Sequence, residues 1–326
     1  KVLGLALPPP TSPSLYELAN VGSIVDEVLG DIRDMEFICH QINEWEPEII
    51  FHLAAQPLVR KSYEDPVETI AINVMGTAHI LEAARRQSSV KTVVNITTDK
   101  CYENKEWSWG YREIDALGGS DPYSASKACA ELISVAYQKL FSQSEGVAIA
   151  TARSGNVVGG GDWATDRLVP DIFRAYFKNE KLRLRYPDAV RPWQHVLEPL
   201  AGYLQLAERL HNDPARYSGA WNFGPSLGVS YSVKEILEKL QGIMGANITW
   251  EILGTLSEGE TNWLQLDSTK AHLELHWSPT WDIDLTLAKV VDWYEAWNRH
   301  EDMQHFTLSQ IVDYMNAATN GIKPTA

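Results

Sequence analysis

The chain has 326 residues and a formal net charge of -15, from 28 basic and 43 acidic side chains, with 44% of residues hydrophobic. That length can bury a core without disulfide or metal staples and suggests about two domains. The acidity argues against binding a nucleic-acid backbone, and no apolar run approaches the roughly 20 residues that span a bilayer, so neither nucleic acid nor membrane is expected as a partner. The three cysteines, Cys39, Cys101 and Cys129, are odd in number and lack paired metal spacing. They fit a reduced, cytoplasmic setting and no bound metal.

Residues 2–7 form a short apolar run stopped by Pro8, Pro9 and Pro10, which predicts a buried strand. Residues 48–55 and 90–97 are further runs of strand length. Between them, residues 66–86 carry apolar side chains at helical spacing and open on Pro66, which suits a first helical turn. Residues 122–140 predict another helix and 147–153 another strand. Strands apolar on both faces that alternate with helices specify an α/β layer, a parallel sheet covered on both sides. Past Val158 the rhythm changes, with Gly159-Gly160-Gly161, scattered Trp and Arg, and a short element at 183–185. A helix at 199–209 returns to the first layer, and another runs over 233–244. These features predict a second, smaller domain interleaved with the first.

The strand at 90–97 ends in Asn95-Ile96-Thr97-Thr98-Asp99-Lys100-Cys101-Tyr102, which sets hydroxyl, carboxylate and amine side by side. On the next predicted helix Tyr123 and Lys127 lie four apart and share one face. A phenol, an ammonium that lowers its pKa, and a second acid/base pair are equipment for redox chemistry coupled to proton transfer. Each motif alone also fits plainer structure: a buried Tyr and a surface Lys on an amphipathic helix, or an Asp-Lys turn at a strand end. Ala54-Ala55 fits close approach of a ligand or tight strand–helix packing, and Gly159 to Gly161 fits a ligand-admitting loop or a turn. Most of the 12 tryptophans read as packing. Asn73, inside a predicted helix, needs a partner for its amide.

Eight segments occur in a telling order: His52-Leu53-Ala54-Ala55-Gln56, Asn73-Val74-Met75-Gly76-Thr77, Thr97-Thr98-Asp99-Lys100, Tyr123-Ser124-Ala125-Ser126-Lys127, Arg153-Ser154-Gly155-Asn156, Gly159-Gly160-Gly161-Asp162-Trp163, Arg191-Pro192-Trp193-Gln194-His195-Val196 and Trp221-Asn222-Phe223-Gly224-Pro225. The set resembles the extended short-chain dehydrogenase/reductase family and, within it, the nucleotide-sugar 4,6-dehydratases that take CDP-glucose. The resemblance implies a Rossmann-type doubly wound parallel sheet with a smaller interleaved substrate-binding domain. The dinucleotide-binding domain would span 1–157, with 193–222 returning to it, and the substrate domain 158–192 and 223–320. It further implies NAD as cofactor, a nucleotide-diphosphate sugar as substrate, oxidation at C4, loss of water across C5 and C6, and return of hydride to C6. In that scheme Tyr123 is the base at the C4 hydroxyl, Thr98 holds that hydroxyl, Lys127 supports Tyr123, Asp99 protonates the leaving hydroxyl, and Lys100 is the C5 base or its electrostatic partner. Asp31, Ile32, Leu53, Ala54, Ala55, Gln56, Asn73 and Thr97, with Tyr123 and Lys127, would hold the cofactor. Asn156, Trp163, Arg167, Arg191, Trp193 and His195 would hold the substrate, Arg191 gripping its diphosphate.

Two departures stand out. The family's opening strand and Gly-x-x-Gly-x-x-Gly loop do not occur, and residues 2–7 match its second strand, so about one βα unit of roughly 30 residues is expected ahead of Lys1. Leu7-Pro8-Pro9-Pro10-Thr11 stands where an acidic residue would meet the NAD ribose, and no arginine there favours a 2′-phosphate. The Asp99-Lys100 pair favours a dehydratase over a 4-epimerase, because elimination needs an acid and a base beyond the tyrosine. An ammonium beside a carboxylate stabilises both charges, so desolvation must oppose it for Asp99 to act as an acid. A dTDP- or GDP-sugar dehydratase, a 4-epimerase and an inactive binding relative are the alternatives. Excess apolar residues on the helices at 66–86 and 122–140 imply a second copy, in a homodimer or dimer of dimers.

Overall fold

A computed structural model describes residues 1–141, 146–253 and 261–321. Residues 142–145 and 254–260, parts of the two expected domains, lie outside the described residues. Strands β1 (Leu3–Ala6) and β2 (Asp26–Leu29) pair in parallel. Strands β3 (Ile49–His52), β4 (Thr92–Ile96), β5 (Ala148–Ser154) and β6 (Gly219–Phe223) form a parallel sheet in the order β6-β5-β4-β3. Among the described residues no ladder joins β1 to β3, so the parallel layer is interrupted there. Ile49 on β3 and Leu53 just beyond it are 36% and 53% exposed, unlike the central strands.

Alternation along β4 and β5 assigns the two faces. Val93 and Ile149, in register, pack under the helices Met35–Trp45, Gly76–Arg86 and Pro122–Phe141. Val94 and Ala150, one residue on, pack against Tyr203, Leu206 and Leu210 of helix Leu197–Asn212 and against Trp221 and Phe223 of β6. Residues 197–223 thus extend the first layer, with Trp221 opposite Ala152 in the ladder. The helix expected over 66–86 is instead three pieces, Pro66–Ile70, a π-helical Ala71–Met75 and Gly76–Arg86. Asn73 sits in the widened piece and turns its amide away from the helix.

The second hydrophobic cluster joins helices Leu168–Lys178, Val233–Met244 and Ile283–Asn298 through Phe173, Leu237, Leu240, Leu287, Val290, Trp293 and Tyr294. Strand Leu182–Leu184, one residue ahead of the short element expected at 183–185, pairs with Trp250–Ile252. The helix Val233–Met244 begins at a reciprocal cap between Ser232 and Glu235, the sequence signal for such a start. The cleft between the two clusters opens at the C-terminal ends of β4 and β5, where open parallel sheets present their ligand sites.

Candidate active site

Where β4 ends, the chain turns sharply. Thr98 is extended and caps the short 3-10 turn Asp99–Cys101, its hydroxyl accepting from the Lys100 N–H at 3.3 Å. The same hydroxyl donates to Asp99 Oδ1 at 3.1 Å, whereas Asp99 Oδ2 is buried with no hydrogen-bond partner among the described residues. On helix Pro122–Phe141, the Asp121 carboxylate accepts from the Ser124 N–H (2.9 Å) and hydroxyl (2.5 Å), fixing the first turn. That turn carries Tyr123, whose own N–H donates to Ser62 Oγ at 3.1 Å. Thr98, Asp99, Lys100 and Tyr123 border one cavity of about 350 Å³, with Gly155, Asn156, Arg167, Arg185, Arg191 and Trp193 also on its wall. A cavity of this size suits a small organic ligand.

Burial sets the electrostatics. It pushes the Asp99 carboxyl up, against the lowering pull of Lys100, the Thr98 hydroxyl and Arg191. The desolvation that an acidic role demands is therefore built into the fold. Burial also pushes Tyr123 up to about 12, opposed by its hydrogen bond with Thr98 and by the Arg167 charge. Lys127 donates to the Ile96 carbonyl at 3.2 Å, and burial, not a neighbouring charge, is the largest influence on the phenol. Burial brings Lys127 itself down to about 8, with Glu131 and then Cys101 opposing.

A family model described as GDP-mannose 4,6 dehydratase matches residues 15–290. The chain belongs to this family. It is 47% identical to the CDP-glucose 4,6-dehydratase of Salmonella typhimurium over 98% of this chain and 90% of that protein. It is 30% identical to a dTDP-glucose 4,6-dehydratase of Streptomyces griseus, covering 75% of this chain and 71% of that one. A solved dTDP-glucose 4,6-dehydratase double mutant from Streptomyces venezuelae, with NAD bound, shares the fold at a TM-score of 0.79 and 23% identity, covering 93% of this chain and 90% of that chain.

Against this dehydratase background the expected site residues divide. Asn156 lies on the cavity wall, its carbonyl accepting from the Gln194 N–H at 3.0 Å. Arg167 is there too, paired with Asp162 at 2.9 Å. Arg191 reaches the wall while donating to the carbonyls of Val190 (2.9 Å) and Thr261 (2.6 Å), and Trp193 while donating to that of Tyr231 (2.9 Å). Trp163 and His195 do not reach it. Trp163 packs in the second cluster, 4.5 Å from Trp297 and 5.2 Å from Tyr294 between ring centres. His195 lies edge-on to Trp281 at 4.8 Å, accepts from the Leu197 N–H, and is brought down to about 4 by burial. Both rings pack among apolar neighbours, away from this wall.

Of the expected cofactor residues, Asp31 and Ile32 follow β2, residues 53–56 follow β3 and Thr97 follows β4, while Asn73, Tyr123 and Lys127 lie on helices. Asp31 is paired with Arg33, which holds its carboxyl below the usual range, and Ile32 is buried against Gly76. Leu53 is exposed, and Ala54 and Ala55 are half-buried. Asn73 clamps Gln56 in both directions: its Oδ1 accepts from the Gln56 N–H at 2.9 Å and its Nδ2 donates to the Gln56 carbonyl at 3.1 Å. The Thr97 hydroxyl donates to Glu131 within the protein. Sequence reasoning passed over Gly155, where an added Cβ would lie 2.9 Å from Asp99 Oδ2 and 2.3 Å from Pro192 Cγ. Its only signal was its place in the quartet Arg153 to Asn156.

Proposed function

We propose that this chain converts CDP-glucose to CDP-4-keto-6-deoxyglucose and water, as an NAD-dependent 4,6-dehydratase. The observation that carries this reading is the shared wall of Thr98, Asp99, Lys100 and Tyr123, which brings a phenol, an amine and a carboxyl pushed up by burial to one cavity. The 47% identity to a CDP-glucose 4,6-dehydratase over nearly the whole chain supports both the reaction and the nucleotide.

The donor set fits NAD. Lys127 is a buried ammonium with Ile96 as its one hydrogen-bond partner among the described residues, so donors remain for ribose hydroxyls. The loop at 53–56, clamped by Asn73 and small at Ala54 and Ala55, admits a ligand close to its backbone. We assign Asp31, Ala54, Ala55, Gln56, Tyr123 and Lys127 to holding the cofactor. When bound, NAD supplies the two-electron hydride acceptor and donor.

The chain's own residues move the protons. Tyr123 takes the proton of the C4 hydroxyl, which Thr98 orients, and the Thr98 hydrogen bond and Arg167 charge draw the phenol down toward a working range. With C4 a ketone, the C5 proton is acidic, and Lys100 accepts it as the neutral amine, becoming an ammonium. Asp99, whose carboxyl burial pushes up toward its acid form, gives its proton to the departing C6 hydroxyl, which leaves as water. Asn156, Arg167, Arg191 and Trp193 seat the nucleotide diphosphate on this wall.

Incubation with CDP-glucose, dTDP-glucose and GDP-mannose, each with and without added NAD, tests the proposal. A 4-keto-6-deoxy product from CDP-glucose is expected; clean formation of a C4 epimer would refute the reaction, and preference for another nucleotide would refute the substrate. We also propose a homodimer, supported by exposed Val67, Ile70, Met75, Leu132 and Val135 on the adjoining helices 66–86 and 122–141. Light scattering at the monomer mass of 36.6 kDa would count against it. A cytoplasmic location is supported by three unpaired cysteines. Among the described residues, no helix is long and apolar enough to cross a membrane.

A further inference from the structure

The helix that carries Tyr123 and Lys127 continues their row. Glu131 follows Lys127 by four residues as Lys127 follows Tyr123, so the three share one face, at 7%, 6% and 0% exposure. The Glu131 carboxylate is fully engaged. Arg153 of β5 donates Nε to Oε1 at 2.9 Å and Nη2 to Oε2 at 2.7 Å, Thr151 donates to Oε2 at 2.7 Å, and Thr97 donates to Oε1.

Two things about this pair call for an explanation. First, a buried ion pair costs so much desolvation that apolar residues of like volume would hold the fold as well. Second, its contacts bracket the reacting turn. The row meets β4 on consecutive residues, with Ser134 at Asn95 (2.9 Å), Lys127 at the Ile96 carbonyl (3.2 Å) and Glu131 at Thr97; Thr98, Asp99 and Lys100 come next. On the other side of that turn, Arg153 Nη1 donates to Tyr102 Oη at 2.8 Å, and Tyr102 donates to Asn222 of β6 at 2.7 Å. One ion pair therefore grips Thr97 before the turn and Tyr102 after it.

We propose that the buried Glu131–Arg153 pair is a positioning device for the dehydration: it fixes the Asp99–Cys101 turn from both flanks and holds Lys127 in place against β4. The proposal rests on the reading of Tyr123, Lys127 and Asp99 as the reacting groups. Besides Tyr123 and Glu131 on its own helix, Lys127 faces Cys101 from the turn and His52 from β3. Burial keeps Cys101 a thiol and brings His52 down to about 3, which leaves Glu131 as the one anion among them. The pair itself faces Tyr102, Cys101, Glu113 and Lys270.

The test uses Glu131→Gln, and Glu131→Gln with Arg153→Gln so that no charge is left unpaired. Turnover of CDP-glucose is measured against pH, and the Lys127 Cε resonance is titrated in 13C-lysine protein, assigned with Lys127→Arg. Both variants are expected to lose about a hundredfold in kcat with KM within about threefold of the parent. The Lys127 midpoint should fall by about one pH unit, and the alkaline limb of kcat should move down with it. Folded variants with the parent's kcat and Lys127 titration would overturn the proposal. Should neither fold, Tyr102→Phe removes only the hydroxyl that ties Arg153 to the far flank: a tenfold or so loss of kcat supports the proposal and an unchanged kcat overturns it. The resonance titration needs no turnover, so a failure of the reading itself, shown by Tyr123→Phe working at the parent rate, is distinguishable.

Discussion

Replacing Lys127 with Met should stabilise the fold while abolishing turnover. Burial lowers this amine from 10.5 to about 8, and the difference of 10.5 − 8, at about 1.4 kcal/mol per unit, is a penalty of about 3 kcal/mol on its charged form in the folded state. At 6% exposure there is little solvent screening to discount it. The sign follows from which state binds the proton. Below pH 8 both folded and unfolded chains carry the charge, and the folded state bears the whole penalty. Between pH 8 and 10.5 the unfolded chain keeps its proton while the folded chain has shed it, so the parent gains stability as pH rises; above 10.5 both are neutral. Met has similar length and no charge, and Glu131 keeps Arg153, Thr97 and Thr151 as partners. Urea unfolding of parent and variant at pH 7 and pH 10 measures the difference: about 3 kcal/mol in favour of the variant at pH 7, shrinking toward zero near pH 10. Equal stability at pH 7, or a difference that ignores pH, would refute the buried-ammonium argument, and surviving turnover would remove Lys127 from the chemistry.

Asp99→Asn keeps the hydrogen bond from Thr98 but cannot give up an acidic proton, so hydride should still leave C4 while water loss slows by about 10² to 10⁴; single-turnover absorbance of the nicotinamide against 4-keto product separates the two. Tyr123→Phe should stop the first oxidation, and undiminished hydride transfer from C4 in one turnover would contradict the role of the phenol. For Lys100→Ala the expectation is retained C4 oxidation and stalled exchange of the C5 proton with solvent, followed by mass spectrometry; exchange at the parent rate would mean the lysine is no base. Gly155→Ala sets a methyl 2.3 Å from Pro192 Cγ and 2.9 Å from Asp99 Oδ2, so it should displace the acid and depress dehydration more than it depresses binding of CDP, read by calorimetry.

The alternation of apolar strands and helices was enough to reveal the α/β layer, because β4 and β5 are apolar on both faces, as only central parallel strands are. The strand Asp26–Leu29 and the helix Met35–Trp45 went unread because their buried residues are few and interspersed with charge: only Ile38, Gln41 and Ile42 of that helix are buried. The break in helix 66–86 was half legible. Asn73 announced itself as a residue in need of a partner, but that the partner is the Gln56 backbone, and that the helix widens to present the amide, depends on a contact across 17 positions. The placement of Trp163 and His195 was hidden for a related reason. A motif places a residue next to a site in sequence, whereas the side chain goes wherever the larger apolar surface lies, here Trp297, Tyr294 and Trp281.

The chemistry of the site shows the same division between what is local and what is not. Tyr123 and Lys127 were legible because helical periodicity alone puts them on one face, and Thr98, Asp99 and Lys100 because they are consecutive at a strand end. What each group does with its proton was not, since a pKa is a property of the surroundings. Seen in sequence, Lys100 should hold Asp99 ionised and Lys127 should hold Tyr123 ready to ionise. In the fold, desolvation is the largest influence on both: Asp99 is pushed up past the pull of Lys100, and the phenol rises to about 12. The first shift readies the elimination, because a protonated carboxyl is what a leaving hydroxide needs. The second opposes the oxidation. A site that buries both groups has its acid prepared in advance and its base not, so the pH at which C4 oxidation sets in should track changes at Thr98 and Arg167, the two groups that pull Tyr123 down. Arg167→Gln should therefore move the acidic limb of hydride transfer to higher pH and leave the limb governed by Asp99 where it was. A pH profile indifferent to Arg167 would mean that the phenol is brought into range by something other than the charges on this wall.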